Sequence, residues 1–283
     1  MGRIRIIADS TCDLSAELIS KYDITIIPLN IVLGMNSYLD GREIAPDQIY
    51  EWSDKMNETP KTAAPELGKV LDVFRPMTLA GEDIIFFGIS EEMSVTCQVV
   101  RMAAQELDYE RIWVINSMNL STGIGLQVLR AAELVRQGAS ADIITQEMNK
   151  TREKVRASFV VDTLTYLQRG GRCSAVTALL GNTLKLKPMI AVREGKMGIA
   201  KKYRGRQTAV IRSYVKELEE ELLQADPARV FITHSGIDPE TLQETTDYLT
   251  GLNYFEEILI TQAGGVISSH CGPNTLGILY YVR

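Results

Sequence analysis

Short apolar runs alternate with polar loops and helical patterns through the first half of the chain. Arg3–Ala8, Asp83–Gly88 and Arg111–Asn116 have the length and apolar character of buried strands. A polar loop follows each run, and a segment with apolar residues at helical spacing follows each loop. Three such units by residue 137 predict a parallel sheet covered by helices.

The same patterns predict the other elements of the first half. Asp13 or Ser15 is a suitable N-cap for the first helix, and Pro46 stands where proline favours the first turn of another. Asp40-Gly41 is typical of tight turns and predicts a hairpin between 35–39 and 42–44. Helices are predicted at 14–21, 46–56, 66–74, 94–107, 121–137 and 139–154, a further strand at 24–32 and a loop at 59–65.

The second half is less regular and mixes strands with helices. Strands are predicted at 157–161, 187–192, 198–203, 229–233 and 256–261, and helices at 163–168, 207–223 and 239–252. The turn Glu194-Gly195-Lys196 predicts a second hairpin. We therefore predict an α/β protein with an N-terminal parallel-sheet domain, residues 1–155. A C-terminal α+β domain with a mixed sheet, residues 156–283, follows, and the hairpin and loop around 34–65 are expected to pack on it.

Composition excludes several classes of protein. The chain has 283 residues, of which 45% are hydrophobic and 23% charged, as in globular proteins and unlike disordered or fibrous ones. Four scattered cysteines, with no CxxC pair and only two histidines, do not favour a zinc or iron–sulfur site. The uncharged stretches 112–129 and 258–282 are broken by Gly, Asn and Ser, and the first ten residues contain no long apolar run. We therefore expect a soluble cytoplasmic protein without stable membrane insertion.

The charges are distributed unevenly along the chain. Its net charge is −6, yet the segment 169–212 has one acid, Glu194, against eleven basic residues. These are Arg169, Arg172, Lys185, Lys187, Arg193, Lys196, Lys201, Lys202, Arg204, Arg206 and Arg212. The segment is either a solvated basic face or a surface that attracts an acidic or phosphate-bearing partner. Nucleic acid is disfavoured, because the whole chain is acidic and few aromatic residues lie among the bases.

Hydroxyl side chains follow the predicted strands of the first half, at the edge where open α/β sheets bind ligands. They are Ser10, Thr11, Ser90, Ser94, Thr96, Ser117, Ser121 and Thr122. Ser94 and Ser121 stand just before helices, whose first N–H groups favour an anion. Helix capping is the alternative role for each of them, since Ser and Thr are frequent N-caps.

Two histidines are candidates for chemistry. His270 lies in the apolar, glycine-flanked run Ala263–Pro273, and His234 follows a predicted strand. A neutral imidazole in such a place either binds a ligand or is a core residue satisfied by the backbone, and the residues leave both roles open. Phosphate-binding G-x-x-x-x-G-K-[ST], dinucleotide-binding G-x-G-x-x-G and hydrolase G-x-S-x-G motifs do not occur.

Several segments together resemble the DegV family of bacterial fatty-acid-binding proteins, and the resemblance covers nearly the whole chain. The order and spacing of the matching segments make it specific. They are Asp9-Ser-Thr-Cys-Asp-Leu14, Thr62-Ala-Ala-Pro65, Met93-Ser-Val-Thr-Cys-Gln98, Asn116-Ser117 with Ser121, Gly123 and Gly125, Val161-Asp-Thr-Leu-Thr-Tyr-Leu-Gln-Arg-Gly-Gly-Arg172, Leu186-Lys-Pro-Met-Ile190 and His270-Cys-Gly-Pro273.

The resemblance implies a DegV-like two-domain fold, similar to the substrate-binding domain of dihydroxyacetone kinases. One long-chain, palmitate-like fatty acid would lie between the domains, with no cofactor. Its carboxylate would be held by Thr62 and Ser94, with His270 close by. Further pocket positions that we expect are Ser121, Thr96 and Gly272.

The resemblance also implies a partner. In kinase-linked members the protein presents the acid to a separate kinase that resembles dihydroxyacetone kinase and makes the acyl phosphate, so the carrier is not itself an enzyme. In this chain Arg172, Lys202 and Arg204 of the basic segment are the candidates for docking the kinase.

The chain departs from the family pattern at four positions. Ala63 and Ala64 replace a hydroxyl and an amide, Val95 replaces a glycine, and Asn116 replaces an aspartate. The key hydroxyls remain, so the predicted binding role stands.

One enzymatic hypothesis is the alternative. A hydrolase or acyltransferase acting on a lipid-like substrate would use Ser94 or Ser90 with His270. It would need a hydroxyl–imidazole hydrogen bond and a carboxylate to orient the imidazole, and the sequence shows no acid near His270.

Overall fold

The computed structural model describes residues 2–173 and 186–283, and Lys185 of the predicted basic segment lies outside them. Its strands are β1 Ile4–Asp9, β2 Thr25–Ile27, β3 Asn30–Leu33, β4 Asn36–Leu39, β5 Lys61–Ala63, β6 Asp83–Gly88, β7 Ile112–Asn116, β8 Val155–Val160, β9 Leu186–Arg193, β10 Lys196–Arg204, β11 Ala225–His234, β12 Glu257–Gln262 and β13 Leu276–Val282. Its helices are α1 Ala16–Tyr22, α2 Pro46–Met56, α3 Leu67–Leu79, α4 Thr96–Glu106, α5 Thr122–Arg136, α6 Ala141–Thr151, α7 Thr165–Gly170, α8 Gln207–Glu217, α9 Glu219–Leu222, α10 Pro239–Gly251 and α11 Gly265–Cys271.

The predicted parallel sheet is confirmed in the first half. Four strands pair in the order β2-β1-β6-β7, all parallel. The apolar run Asp83–Gly88 forms the strand β6 within the bounds that its pattern predicts, because it is buried on both faces. From β1 the chain proceeds to β2 on one side, while β6 lies on the other. The carboxyl ends of β1 and β6 therefore flank a crevice of the kind in which such sheets bind ligands.

The second half contains the predicted mixed sheet. Its six strands pair in the order β10-β9-β8-β13-β11-β12, and only β11 and β12 run parallel. The hairpin around Glu194-Gly195 joins β9 to β10 as predicted, with both turn residues at positive φ. A third sheet, β4-β3-β5, packs with α2 against α11 around Ile31, Ile49 and Val266.

Helix α5 lies between the two large sheets. Every residue from Thr122 to Leu129 is buried, and the helix contacts β1 and β6 on one side and β8 and β13 on the other. The largest apolar cluster runs without a break from Ile6 through Ile124 to Phe159. The core is therefore continuous across residue 155, where the sequence predicts a domain boundary.

Two sequence predictions are wrong, and two strands were not predicted. The hairpin turn is not at Asp40-Gly41: Gly34 at φ +61° turns the chain between β3 and β4, and the Asp40 side chain is buried by tertiary contacts. The strand predicted at 24–32 is two strands separated by Pro28. The sequence patterns did not predict β5 or β13. Of the two candidate N-caps for α1, Ser15 is the cap, because its hydroxyl accepts a backbone N–H, whereas Asp13 is buried elsewhere.

Candidate functional site

A cavity of about 450 Å³ opens between α11, β5 and the loop before α4. Helix α11 forms one wall with Val266, Ile267 and His270, and β5 contributes Thr62 to the opposite side. The other apolar residues of the wall come from five separate segments and include Leu29, Ile89, Met93, Leu120 and Met197. The volume lies within the range of small-molecule sites, and its mainly apolar wall suits a hydrocarbon ligand.

Thr62 and His270 are brought together, although 208 positions separate them in the chain. The Thr62 hydroxyl oxygen lies 2.8 Å from Nε2 of His270. Strand β5 is held by pairing with β3, where Thr62 stands opposite Ile31. The hydroxyl and the imidazole thus form a polar pair in the wall of the cavity.

Burial keeps His270 neutral. Burial, and to a smaller extent the positive charge of Arg172, lowers the pKa of the imidazole to about 4. Nδ1 of His270 is buried and has no hydrogen-bond partner within the described residues. A bare acceptor is less costly there than an unpaired N–H, so the proton belongs on Nε2. Nε2–H then donates to Thr62, and the Thr62 hydroxyl is left free to donate to a ligand.

Gly170 makes room for this histidine. A Cβ at position 170 would lie 2.2 Å from Nδ1 of His270. Because α7 packs against α11, the last residue of α7 must lack a side chain to leave space for the imidazole. The glycine therefore supports the site without touching the cavity.

Ser94 is the second hydroxyl in the wall. Its Oγ lies 2.8 Å from Oγ1 of Thr96, the first residue of α4, and it accepts the Thr96 N–H at 3.3 Å. Val95, between them, makes no side-chain cap hydrogen bond. The remaining N–H groups of the first turn of α4, directly after the cavity-lining Ser94 and Val95, therefore lack a cap from Val95. Such groups favour a negative charge.

Arg172 places a positive charge in the same wall. Its guanidinium donates to the carbonyls of Gly170 at 2.8 Å and Met93 at 3.4 Å, and the residue lines the cavity. The sequence suggests Arg172 for partner docking, and sequence reasoning alone did not identify this second place for it. The side chain is exposed to solvent, so it faces both the cavity and the surface.

Three buried carboxylates lie behind the site. Asp13 accepts from the N–H of Gly264 at 2.8 Å and from the Ser121 hydroxyl at 2.5 Å. Asp40 accepts from the N–H of Gly265 at 2.8 Å and from the Ser10 hydroxyl at 2.7 Å. These glycines begin α11, so two carboxylates hold the end of the helix opposite to His270.

Asp9 is the third carboxylate and contacts a different element. It accepts from the hydroxyl and the N–H of Thr11 and from the N–H of Ile89. Burial raises the pKa of Asp9 to about 6, and its hydrogen bonds oppose that rise. Burial also raises the pKa values of Asp13 and Asp40. Sequence reasoning missed Asp9 and Asp40, whose only signal is an acid directly after a strand.

Most of the other hydroxyls are satisfied inside the protein. Ser121 is buried and donates to Asp13, Thr96 is fully buried beside Ser94, and neither lines the large cavity. Ser90 donates to the carbonyl of Gly195 at 2.7 Å. Gly272 ends α11 at φ +75°, with the ring of Tyr166 where a Cβ would stand, and also lies outside the wall. Only Thr62 and Ser94 thus offer hydroxyls to the cavity among the hydroxyl residues named from the sequence.

The basic segment is partly neutralised. Lys187 pairs with Asp162, and three further pairs join it to acids: Lys196 to Glu92, Lys201 to Glu217 and Arg212 to Glu244. Lys202 and Arg204 are exposed on β10, an edge strand, and make no ion pair within the described residues. They remain available for a partner.

The four departures from the family pattern have definite places. Ala63 and Ala64 line the cavity, and Val95 lines it while 58% exposed. Asn116 accepts from the N–H groups of Glu91 and Met118 through its side-chain oxygen. An amide oxygen performs this task without a charge.

The arrangement does not favour the enzymatic hypothesis. Nε2 of His270 faces Thr62, whereas Ser94 bonds Thr96 and Ser90 bonds a carbonyl. Since Nδ1 of His270 has no partner in the part of the chain that the structure describes, no carboxylate orients the imidazole as a catalytic triad requires. Both serine hydroxyls are thus engaged away from the imidazole.

Residues 2–173 and 186–283 contain neither a metal-binding cluster nor a membrane-spanning helix. No group of three or more His, Cys, Asp or Glu side chains there is arranged to hold a metal ion. No helix in that part of the chain combines the length and the apolar character needed to cross a bilayer.

Comparison with known proteins gives one consistent family. A family model described as "Uncharacterised protein, DegV family" matches residues 3–283. A DegV domain-containing protein of Clostridium perfringens is 31% identical over 280 residues, which cover 99% of this chain and 99% of the relative.

Solved structures agree with the sequence match. A DegV family protein from Thermus thermophilus, reported for its fatty acid binding, is 30% identical with a TM-score of 0.91 and covers 99% of this chain and 100% of its own. A stearic acid-binding protein from Eubacterium ventriosum is 27% identical with a TM-score of 0.85, covering 100% of this chain and 98% of its own.

Proposed function

Because this chain belongs to the DegV family, we propose that it binds one long-chain fatty acid in the cavity between α11, β5 and α4. In this proposal Thr62 and Ser94 hold the carboxylate directly, and His270 supports it through its hydrogen bond to Thr62. The apolar wall takes the hydrocarbon. The observation that carries it is the Thr62–His270 pair, 2.8 Å apart in the wall of an otherwise largely apolar slot.

Apolar burial supplies the affinity. Transferring about fourteen methylenes from water, at ~0.8 kcal/mol each, contributes roughly 11 kcal/mol before the costs of association. Even after several kcal/mol of lost translational and rotational freedom, micromolar or tighter binding follows. Each methylene contributes a similar increment, so affinity changes gradually, about fourfold per methylene, among palmitate-like chains.

The polar groups determine which end of the ligand is held. A buried carboxylate needs hydrogen-bond donors, and bonds to an ionised acceptor are about twice as strong as neutral ones. The Thr62 hydroxyl is free to donate, because it accepts from Nε2–H of His270, and Ser94 stands beside the start of α4. Arg172 adds a positive charge. An ester, which lacks the negative charge, binds more weakly.

The fatty acid is presented to a kinase in this proposal, and the protein itself is a carrier. Arg172 lines the cavity and is exposed, while Lys202 and Arg204 are exposed basic residues without an ion pair in the described ranges. A basic surface of this kind attracts an acidic partner and the phosphoryl group to be transferred. Reversing Lys202 and Arg204 to Glu slows acyl phosphate formation at low salt and leaves lipid affinity unchanged. An unchanged rate removes the docking role.

The binding role is tested by identifying and then removing the bound lipid. Mass spectrometry of the folded, purified protein is expected to find a C14–C18 acid in near-stoichiometric amount. Ser94→Ala and Thr62→Val each lower the affinity of the delipidated protein for palmitate about 10- to 100-fold, the range for a hydrogen bond to a charged group.

Thr163→Ala is the matched control. Thr163 and Thr165 form a hydroxyl pair at 2.9 Å before α7, with the same spacing as Ser94 and Thr96, but they lie outside the cavity. We expect this variant to bind palmitate like the parent. A parent protein that neither co-purifies with an acid nor binds palmitate overturns the proposal.

A further inference from the structure

The short helix α11 links the carboxylate site to two buried acids. It has seven residues, about 10 Å at 1.5 Å per residue. Its first residue, Gly265, donates to Asp40, and Gly264 before it donates to Asp13. His270 is its sixth residue and faces Thr62. A helix this short is effectively rigid, so whatever fixes Gly264 and Gly265 also fixes the imidazole.

We infer that Asp13 and Asp40 are positioning residues for the ligand carboxylate: they hold the start of α11 against the first half of the chain and so place His270 opposite Thr62. The inference rests on the proposed function and names the part of the chain that sets its head-group selectivity.

Both acids join distant parts of the chain in the same way. One oxygen of Asp13 accepts from Gly264 and the other from Ser121, before α5. One oxygen of Asp40 accepts from Gly265 and the other from Ser10, after β1. Each carboxylate therefore bridges α11 to an element that packs on the parallel sheet. Bonds to an ionised acceptor are about twice as strong as neutral ones, so the ionised acid fixes the helix better than an amide would.

The glycines of α11 allow this close approach. A Cβ on Gly265 would lie 2.9 Å from an oxygen of Asp40 and 2.5 Å from Cδ1 of Ile31. A Cβ on Gly264 would lie 3.0 Å from an oxygen of Asp13. The start of the helix and the two acids are thus fitted to each other without intervening side chains.

The acids are costly to keep. Both are buried, and burial raises their pKa values, because the ionised form of a buried carboxyl costs free energy. A helix end of this kind is capped more cheaply by a Ser or Asn side chain. A strong, directed hydrogen bond at the far end of the helix from His270 explains why carboxylates stand here.

Asp9 provides the matched control. It is as buried as Asp13, and it likewise accepts from a hydroxyl and from backbone N–H groups. None of its partners belongs to α11, since they are Thr11 and Ile89. Asp9→Asn therefore removes a buried charge next to the same cluster without loosening the helix.

The experiment compares two ligands with the same hydrocarbon, palmitate and 1-hexadecanol, on delipidated protein. Asp13→Asn and Asp40→Asn keep the shape and one acceptor but lose the charge. We expect each to lower the ratio of palmitate to hexadecanol affinity about 5- to 10-fold. Asp9→Asn, which supports the apolar wall through Ile89, changes both affinities by the same factor and leaves the ratio unchanged.

Ligand-free NMR measures the position of His270 directly. The chain has two histidines, so His234→Asn assigns their imidazole resonances. We expect Asp13→Asn and Asp40→Asn to shift the His270 signal, and Asp9→Asn to leave it in place. If either variant fails to fold, Ser121→Ala or Ser10→Ala, which removes the other donor to the same carboxylate, is measured instead, with an expected 2- to 3-fold loss in the ratio.

The outcomes separate the two claims. A parent that binds neither ligand overturns the proposed function, and the His270 signal then still tests the positioning role. A parent that binds palmitate, with folded Asp13 and Asp40 variants that retain both its affinity ratio and its His270 signal, overturns the inference. An equal change in ratio from Asp9→Asn also overturns it, because the effect would then come from charge rather than from contact with α11.

Discussion

The two ends of α11 are built in opposite ways. At Gly264 and Gly265 the packing leaves no space, and both oxygens of each contacting carboxylate have hydrogen-bond partners. At His270 the helix faces a cavity of about 450 Å³, with the Thr62–His270 pair in its wall. The comparison teaches that a binding site needs an incomplete surface, and that such a surface keeps its shape only where the neighbouring structure is fully satisfied.

The largest expected effect concerns Asp9, the third buried acid, which makes no hydrogen bond to α11. Its pKa is raised from 3.8 to about 6. Between those values the folded state binds more protons than the unfolded state, so this carboxyl lowers the free energy of unfolding as the pH rises, by about 3 kcal/mol in all. Asp9→Asn removes that loss. Denaturant unfolding from pH 4 to pH 7 is expected to show the variant gaining about 2 kcal/mol of this difference relative to the parent.

His270 acts in the opposite direction in the same pH range. Its pKa is lowered, so its contribution to stability is present at neutral pH and is lost as the pH falls from 6.5 towards 4. In the parent the two effects oppose each other, so its free energy of unfolding varies less with pH. The quantity to measure is therefore the difference in free energy of unfolding between parent and variant at each pH. A difference that stays constant with pH means that Asp9 is not the group buried in its ionised form.

A methyl group added at the packed end gives the next largest effect. In Gly265→Ala the new Cβ meets Ile31, Ile49 and Asp40 at 2.5 to 2.9 Å. Overpacking of this kind costs about 1–3 kcal/mol, so chemical denaturation is expected to show a lower free energy of unfolding. A variant as stable as the parent indicates that this end has unused space.

A methyl group at the open end acts mainly on the ligand. In Gly170→Ala the new Cβ displaces His270, which has the cavity to move into, so the free energy of unfolding changes little. Loss of the Thr62–His270 hydrogen bond is expected to weaken palmitate binding by about 1.5 kcal/mol, which is roughly a 10-fold loss of affinity.

Gly171→Ala separates the clash from backbone strain. Gly171 has φ +68° and open space around its Cβ position, so alanine there adds strain alone. We expect it to lower the free energy of unfolding and to retain palmitate affinity. Equal affinity losses at positions 170 and 171 contradict the role given to the imidazole.

Local sequence patterns correctly predict the elements whose formation depends mainly on neighbouring residues. The helix Pro46–Met56 has the bounds that its periodicity and its initial proline predict, and β6 coincides with its apolar run. Asp40-Gly41 is different, because the carboxylate of Asp40 is bound by Ser10 and by Gly265, 225 residues later. The turn preference of the dipeptide Asp-Gly does not account for a hydrogen-bond partner so far along the chain. The turn is at Gly34 instead.

The site was predictable to a similar extent. The residues alone left His270 as either a core or a ligand residue, and only the resemblance to a family joined it to Thr62 and Ser94. Their assignment to the carboxylate stays a prediction, while the structure places all three in one cavity wall. The sequence did not identify Asp40 or Gly170 as site residues, because both act through contacts with α11 that leave no pattern in the neighbouring sequence.

Helix α5 has a consequence for how the molecule melts. Its first half has no side that faces water, because one sheet covers each flank. Separating either sheet from α5 would expose the apolar residues of this helix to water. We therefore expect a single calorimetric transition, with equal van't Hoff and calorimetric enthalpies, and two insoluble fragments if the chain is cut at residue 155.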